Sequence, residues 1–229
     1  MLVPGSKSRH DSEVVSQDEQ SAEAHNREFE ASDGWSARYR SGDTPWDQGE
    51  AHPELVRRAM VDDLVPKPGA GDLDVFVPGC GRGHDALWFA RAGCRVTAVD
   101  FASGLAAGLG PALEALGSRF VETDALTFEG GPFDLVFEHT FHCAIPPERR
   151  EDWARLVDRV LRPGGRLAAL VFPADKPTSE GGPPHRTTVA GLAASLGSAF
   201  RTVVDEPVER GIATRAWAER WAVFEKVDG

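Results

Sequence analysis

An α/β architecture, with a mostly parallel sheet covered by helices on both faces, is expected from three features of this 229-residue chain. Short apolar runs alternate with helical stretches from residue 73 onward, the pattern of strands joined by helical crossovers. A glycine-rich turn, Gly79-Cys80-Gly81-Arg82-Gly83, joins the first run to the helix behind it. The last two runs, 200–204 and 217–225, are separated only by a short charged stretch, which suits a hairpin. One strand near the sheet edge is therefore expected to run antiparallel to the others.

Residues 1–20 read as a disordered acidic tail and residues 21–229 as a single domain, with 21–64 as a helical segment ahead of the sheet. Within residues 1–33, eight acidic side chains stand against Lys7, Arg9 and Arg27, and apolar residues are few. Such a stretch buries too little surface to offset its ordering entropy, so 21–30 is at best a marginal helix. A helix starts at Ser32-Asp33, placing Trp35 and Tyr39 on one face at i, i+4. A turn-rich knot follows, Thr44-Pro45-Trp46-Asp47-Gln48-Gly49. Pro53 suits the first turn of a second helix that runs to about Leu64 and ends at Pro66-Lys67-Pro68-Gly69.

Strand one is then expected at 73–78, and a helix at 85–92 with Ala86, Leu87, Phe89 and Ala90 on its buried side. Strand two, 95–99, ends on Asp100. Residues 102–117, rich in Ala and Gly, form a weak helix. Strand three is 119–122, with Asp124 just beyond, and strand four is 133–137. A helix over 147–161 is stopped by Arg162-Pro163-Gly164-Gly165, and strand five covers 166–172.

Composition narrows the function classes. A net charge of −11 speaks against a partner made of nucleic acid or anionic membrane, which requires a basic face. The uncharged stretch 101–113 is short and interrupted by glycine and Pro111, so no bilayer span is expected there. The first residues lack the apolar core of a signal peptide, which makes a cytoplasmic location the default expectation. Cys80, Cys94 and Cys143 are odd in number and show no C-x-x-C spacing, so neither a disulfide framework nor a metal site is expected. No apolar stretch is left over once the core is assigned, and a monomer is expected.

The glycine turn carries the first chemical signal. A dinucleotide fingerprint reads G-x-G-x-x-G and sets bare amides against a pyrophosphate. Here the third glycine comes one position early, and an acid, Asp85, follows two residues later. An acidic first turn suits a cationic ligand without phosphate, such as S-adenosylmethionine (SAM), whose ribose hydroxyls would meet Asp100. Asp85 is equally explained as an acid complementing a helix dipole. A dehydrogenase is disfavoured by the loop spacing; a SAM-binding module without catalysis is a further, weaker reading.

Four blocks resemble class I SAM-dependent methyltransferases of the thiopurine S-methyltransferase type, with motifs most similar to plant halide/thiol (thiocyanate) methyltransferases. They are Gly34-Trp35 through Gly49, Val77 through Asp85, Phe133 through Arg150, and Gly181-Gly182-Pro183-Pro184. The resemblance covers nearly everything but the tail. It implies a Rossmann-like seven-stranded sheet with strand seven antiparallel, and an N-terminal segment that closes over SAM as an aromatic lid of Trp35, Tyr39 and Trp46. It further implies that Gly79 and Gly81 line the methionine part, that Asp100 binds the ribose, and that Asp124 and Ala125 sit at the adenine edge. Glu138 is expected beside the cofactor, and Tyr39, Phe141 and His185 in the acceptor pocket. Cys80 and Cys143 are expected to be small buried residues, since methyl transfer needs no enzyme nucleophile.

Methyl transfer from a sulfonium is an in-line displacement in which the enzyme positions the acceptor and excludes water. A thiol is only a few per cent thiolate at neutral pH, so a nearby base or cation raises the reactive fraction. Glu138, His139, Phe141, His142 and Arg149 follow the fourth strand, where ligand crevices of parallel sheets lie. His142 stands where members of the family usually carry a second phenylalanine, and is expected to be the acceptor-side base, with Arg149 or Arg150 supplying positive charge. His185 makes the pocket wall more polar, and Arg215 is a weaker candidate. The expected reaction is S-methylation of a small thiol or thiolate; halide or thiocyanate methylation, and O- or N-methylation of a small natural product, remain alternatives.

Overall fold

The computed structural model describes residues 32–65 and 72–227. The tail and the marginal helix expected before residue 31, and the Pro66-Lys67-Pro68-Gly69 stop, lie outside the described residues. Two helices, α1 (Ser32–Ser41) and α2 (Pro53–Val61), precede the sheet, with Pro53 at the start of α2 where its missing N–H costs nothing. Then come β1 (Asp74–Pro78), α3 (His84–Arg91), β2 (Arg95–Asp100), α4 (Ala106–Glu114), β3 (Arg119–Glu122) and β4 (Phe133–His139). The chain continues through α5 (Arg150–Val160), β5 (Leu161–Val171), α6 (Val189–Leu196), β6 (Phe200–Pro207) and β7 (Arg220–Lys226).

The strands form one seven-stranded sheet in the order β3-β2-β1-β4-β5-β7-β6. The β1–β2, β1–β4, β2–β3 and β4–β5 pairs are parallel, and β7 runs antiparallel between β5 and β6. Side chains alternate across the sheet, so each strand feeds both cores. Phe76 and Val136 face the side covered by Trp153, Leu156 and Val157 of α5 and Leu192 of α6. Val75, Val77, Leu135 and Phe137 face Leu55 of α2, Phe89 of α3 and Leu113 of α4. At the β6 edge, Arg201, Asp205 and Glu206 are exposed, and charges of this kind discourage strand addition.

Three expectations are corrected. The helix expected over 147–161 begins as a short 3-10 turn (Pro147–Arg149), and α5 proper starts at Arg150. Ladder pairing of β5 already begins at Leu161 opposite Phe133, skips the Pro-Gly-Gly stop and resumes at Arg166 opposite Leu135. An element that the sequence reading omitted, α6, is short and rich in Ala and Gly, so its periodicity is weak. Its ends are nevertheless marked: the Thr188 side chain accepts the Gly191 N–H, and Gly197 follows at φ 66°. No helix among the described residues is long and apolar enough to cross a membrane.

Candidate active site

A cavity of about 440 Å³ opens at the C-terminal ends of β1, β2 and β4. The chain winds outward from β1 through β2 to β3, then returns from β3 to place β4 on the other side of β1, the switch point at which such sheets form their crevice. The glycine turn makes its floor. Gly79 and Gly81 adopt φ of +56° and +53°, which side chains other than glycine rarely take. A Cβ on Gly79 would stand 2.2 Å from the Phe141 ring, and one on Gly81 2.5 Å from the Tyr39 hydroxyl. The Asp100 carboxylate, at the end of β2, accepts N–H groups from Gly81 and Ala102, each at 2.8 Å. Burial raises its pKa. Asp124 caps a 3-10 turn by accepting the Leu126 N–H at 2.9 Å, which presents Ala125 to the cavity.

The N-terminal segment forms the opposite wall. Trp35 meets Trp46 edge-on at 5.2 Å, Tyr39 meets it at 5.8 Å, and the Trp46 Nε1–H donates to the Tyr39 hydroxyl at 3.3 Å. Asp47 ties this segment to the glycine turn through Arg82 at 2.7 Å and His84 at 2.9 Å. Arg82 also donates to the Tyr39 carbonyl. The aromatic faces are not bare: the Arg38 guanidinium sits 4.5 Å from the Trp46 ring centre, and that of Arg82 5.6 Å from the Tyr39 ring.

A line of polar groups forms the end of the cavity beside β4. Asp85 accepts the His52 backbone N–H at 2.9 Å and faces His139 Nδ1 at 2.7 Å. The other His139 nitrogen, Nε2, lies 2.8 Å from the Arg215 guanidinium. A guanidinium only donates, so Nε2 accepts and Nδ1–H donates to Asp85; His139 is neutral, with one tautomer selected. Arg215 is paired with Glu219, and Glu219 with His52 at 3.2 Å. Burial lowers the His139 pKa, Asp85 raises it, and the Arg215 charge lowers it again, leaving it below the ordinary histidine value. Burial pushes Asp85 up, but the His139 imidazole and the His52 N–H bring it below the usual carboxylate range.

The expected residues do not all converge on this cavity. Trp35, Trp46, Gly79, Gly81, Asp100, Asp124 and Ala125 line it, as do Tyr39, Phe141 and Arg149. The Arg149 charge is shared between Asp124 at 3.8 Å and Asp152 at 3.3 Å, so it is already compensated. His142 is corrected: its imidazole packs edge-on against Trp153 at 4.6 Å, on the far side of the turn, and lines a different pocket. Burial and the Arg150 and His185 charges hold its pKa at about 3. The sequence could not show this, because one residue of a tight turn separates the two sides. Glu138 is also corrected. It accepts the N–H groups of Phe141 and His142, at 3.1 and 2.8 Å, and so holds the turn from beneath rather than lining the cavity. His185 lies behind Pro183 and Pro184, its N–H bonded to the Cys143 carbonyl at 2.7 Å and its ring against Gly182. Cys80 and Cys143 both line the cavity; burial raises both thiol pKa values well above the range of a reactive thiolate.

These surroundings fit SAM. The floor is bare backbone that any Cβ would fill, Asp85 and Asp100 follow the ends of β1 and β2, and the cation of the turn, Arg82, is already paired with Asp47. A sheet of this strand order, with a glycine turn after β1 and an acid closing β2, defines a class I SAM-dependent methyltransferase. The chain belongs to the thiopurine S-methyltransferase family, which residues 30–225 match.

It is 33% identical over 204 residues to thiocyanate methyltransferase 1 of Brassica oleracea, covering 85% of each chain. It is 32% identical over 165 residues to the probable thiol methyltransferase 2 of Arabidopsis thaliana, covering 70% of each. Among solved structures it is similar to Burkholderia thailandensis 1,6-didemethyltoxoflavin-N1-methyltransferase, with bound 1,6-didemethyltoxoflavin and S-adenosylhomocysteine. The TM-score is 0.67 at 22% identity, over 95% of this chain and 93% of that one.

Proposed function

We propose that this SAM-dependent enzyme methylates the sulfur of a small thiol, and that His139 and Arg215 prepare that sulfur for attack. Bound SAM supplies an electrophilic methyl carbon on a cationic sulfur. The Gly79 and Gly81 backbone and the Asp100 carboxylate hold the cofactor, with Asp124 and Ala125 at its adenine edge. Trp35, Tyr39 and Trp46 close over it and keep water out. The acceptor enters between His139, Phe172 and Arg215. Arg215 turns its guanidinium from the imidazole to the acceptor sulfur, which frees His139 Nε2 to take the thiol proton. Asp85 stabilises the imidazolium that forms, and the guanidinium stabilises the thiolate. The proton then passes from Nε2 to solvent.

The observation that carries this reading is the Asp85–His139–Arg215 line at the cavity wall, with distances of 2.7 and 2.8 Å. It is tested with His139→Gln, by following S-adenosylhomocysteine formation from an aromatic thiol and from thiocyanate across the pH range. A general base contributes about a hundredfold or more, so thiol turnover is expected to fall that far. Thiocyanate, which has no proton to lose, should be spared. An equal loss for both acceptors would overturn the role of His139. Thiocyanate or iodide outpacing every thiol in the wild type would favour the second reading, an anion methyltransferase, to which the Arg215 cation is equally suited. The free thiols of Cys80, Cys94 and Cys143 support a reducing, cytoplasmic setting. A monomer is the proposed working unit, since the net charge of −11 makes copies repel.

A further inference from the structure

We propose that a second pocket, behind the turn that follows β4, binds a phosphate-type oxyanion. This pocket of about 350 Å³ is lined by His142, Arg150, Arg186, Thr187 and Ser195, at the N-terminal end of α6. Two features point to an anion, and a third to a ligand with a proton to share. Neither Arg150 nor Arg186 has an acidic partner among the described residues, although the protein is strongly acidic. Arg150 spends one N–H on the Arg186 carbonyl at 2.8 Å, and its Nε is buried with no partner. The N-terminal turn of α6 adds the positive end of a helix dipole. Finally, His142 is 3% exposed and its Nε2 has no hydrogen-bond partner.

The protonation of His142 can be assigned. Thr187 gives its hydroxyl proton to the His185 carbonyl at 3.3 Å, so its oxygen accepts from His142 Nδ1–H at 3.1 Å. Nε2 therefore carries a bare lone pair. The charged and titratable groups facing His142 are Arg150 from α5 and His185 from the segment before α6; Glu138 accepts its backbone N–H from below. An oxyanion between the arginines offsets their charge and lets Nε2 take a proton, supplied by the ligand itself as dihydrogen phosphate or by solvent. Binding of hydrogen phosphate thus takes up one proton from solvent and binding of dihydrogen phosphate none, so affinity for total phosphate is expected to tighten as the pH falls toward 6. Residues on the opposite side of the same turn, Phe141 and Cys143, line the methyl-transfer cavity, which puts the two pockets back to back.

The experiment is an NMR titration of the full chain, labelled at histidine Cε1, with inorganic phosphate and separately with a phosphate monoester, at constant ionic strength. Expected is a saturable, one-to-one shift of the His142 signal and a phosphate-dependent rise in its titration midpoint. Arg150→Gln should weaken the affinity about tenfold or more, the loss of one charge-assisted hydrogen bond. A response to the free ion alone, or to the ester as well, identifies which form the pocket accepts. A wild-type His142 signal that phosphate does not move overturns the proposal, and so does an identical response in Arg150→Gln. Neither readout depends on methyl transfer.

Discussion

Two histidines three residues apart have opposite surroundings, and this decides their chemistry. His139 ends β4 and reaches Asp85 and Arg215, whereas His142 turns into the core against Trp153. Just before them, Glu138 holds the turn with a carboxylate that burial pushes up to about 7. Its folded-state pKa lies above the unfolded value near 4.5. The stabilisation it contributes is therefore complete below pH 4.5 and lost as pH rises through 7. Glu138→Gln should remove that dependence. Relative to the variant, wild type is expected to lose up to about 3 kcal/mol between pH 5 and pH 8, read from urea midpoints at the two values. Parallel midpoints would show that Glu138 is ionised throughout. The residue types at the site were legible in the sequence. Their directions were not, because a turn reverses a side chain with a change of one residue.

At the level of elements, the N-terminal segment is held to the glycine turn mainly by Asp47, which pairs with both Arg82 and His84. Partly exposed pairs are worth little each, together about 1 kcal/mol. Asp47→Ala is therefore expected to weaken S-adenosylhomocysteine binding about fivefold, measured calorimetrically, while the melting temperature hardly moves. Unchanged affinity would mean that the segment is held by its aromatic contacts alone. The alternation of strands and helices made the inner strands β1, β2 and β4 readable, since each is mostly apolar and buried, while β3 is a short edge strand with Arg119 and Glu122 exposed. Helix α6 was not readable for the opposite reason. Ala, Gly and Ser dominate it, and Val189, Leu192 and Leu196 are the only large residues it buries.

Across the whole molecule, the cavity wall draws on distant parts of the chain: the N-terminal segment, the ends of three strands and the loop before β7. A ligand there ties the N-terminal segment to the sheet and resists global unfolding. At a hundredfold excess over its Kd, S-adenosylhomocysteine should add about 2.7 kcal/mol. For a chain of this size that raises the melting temperature by about 5–10 °C, which a thermal-shift assay reads directly. A melting temperature that ignores the ligand would show that the cavity does not bind it.

The same architecture places a fluorophore at each end of the cavity. Trp35 and Trp46 line the end proposed for the cofactor, and Trp217 the end proposed for the acceptor, beside Phe172 and 4.7 Å from Lys176. Emission from the first pair reports the arrival of an adenosyl group, and emission from Trp217 the arrival of the acceptor. Rapid mixing of single-tryptophan variants thus reads the order in which the two substrates load, without a label on either.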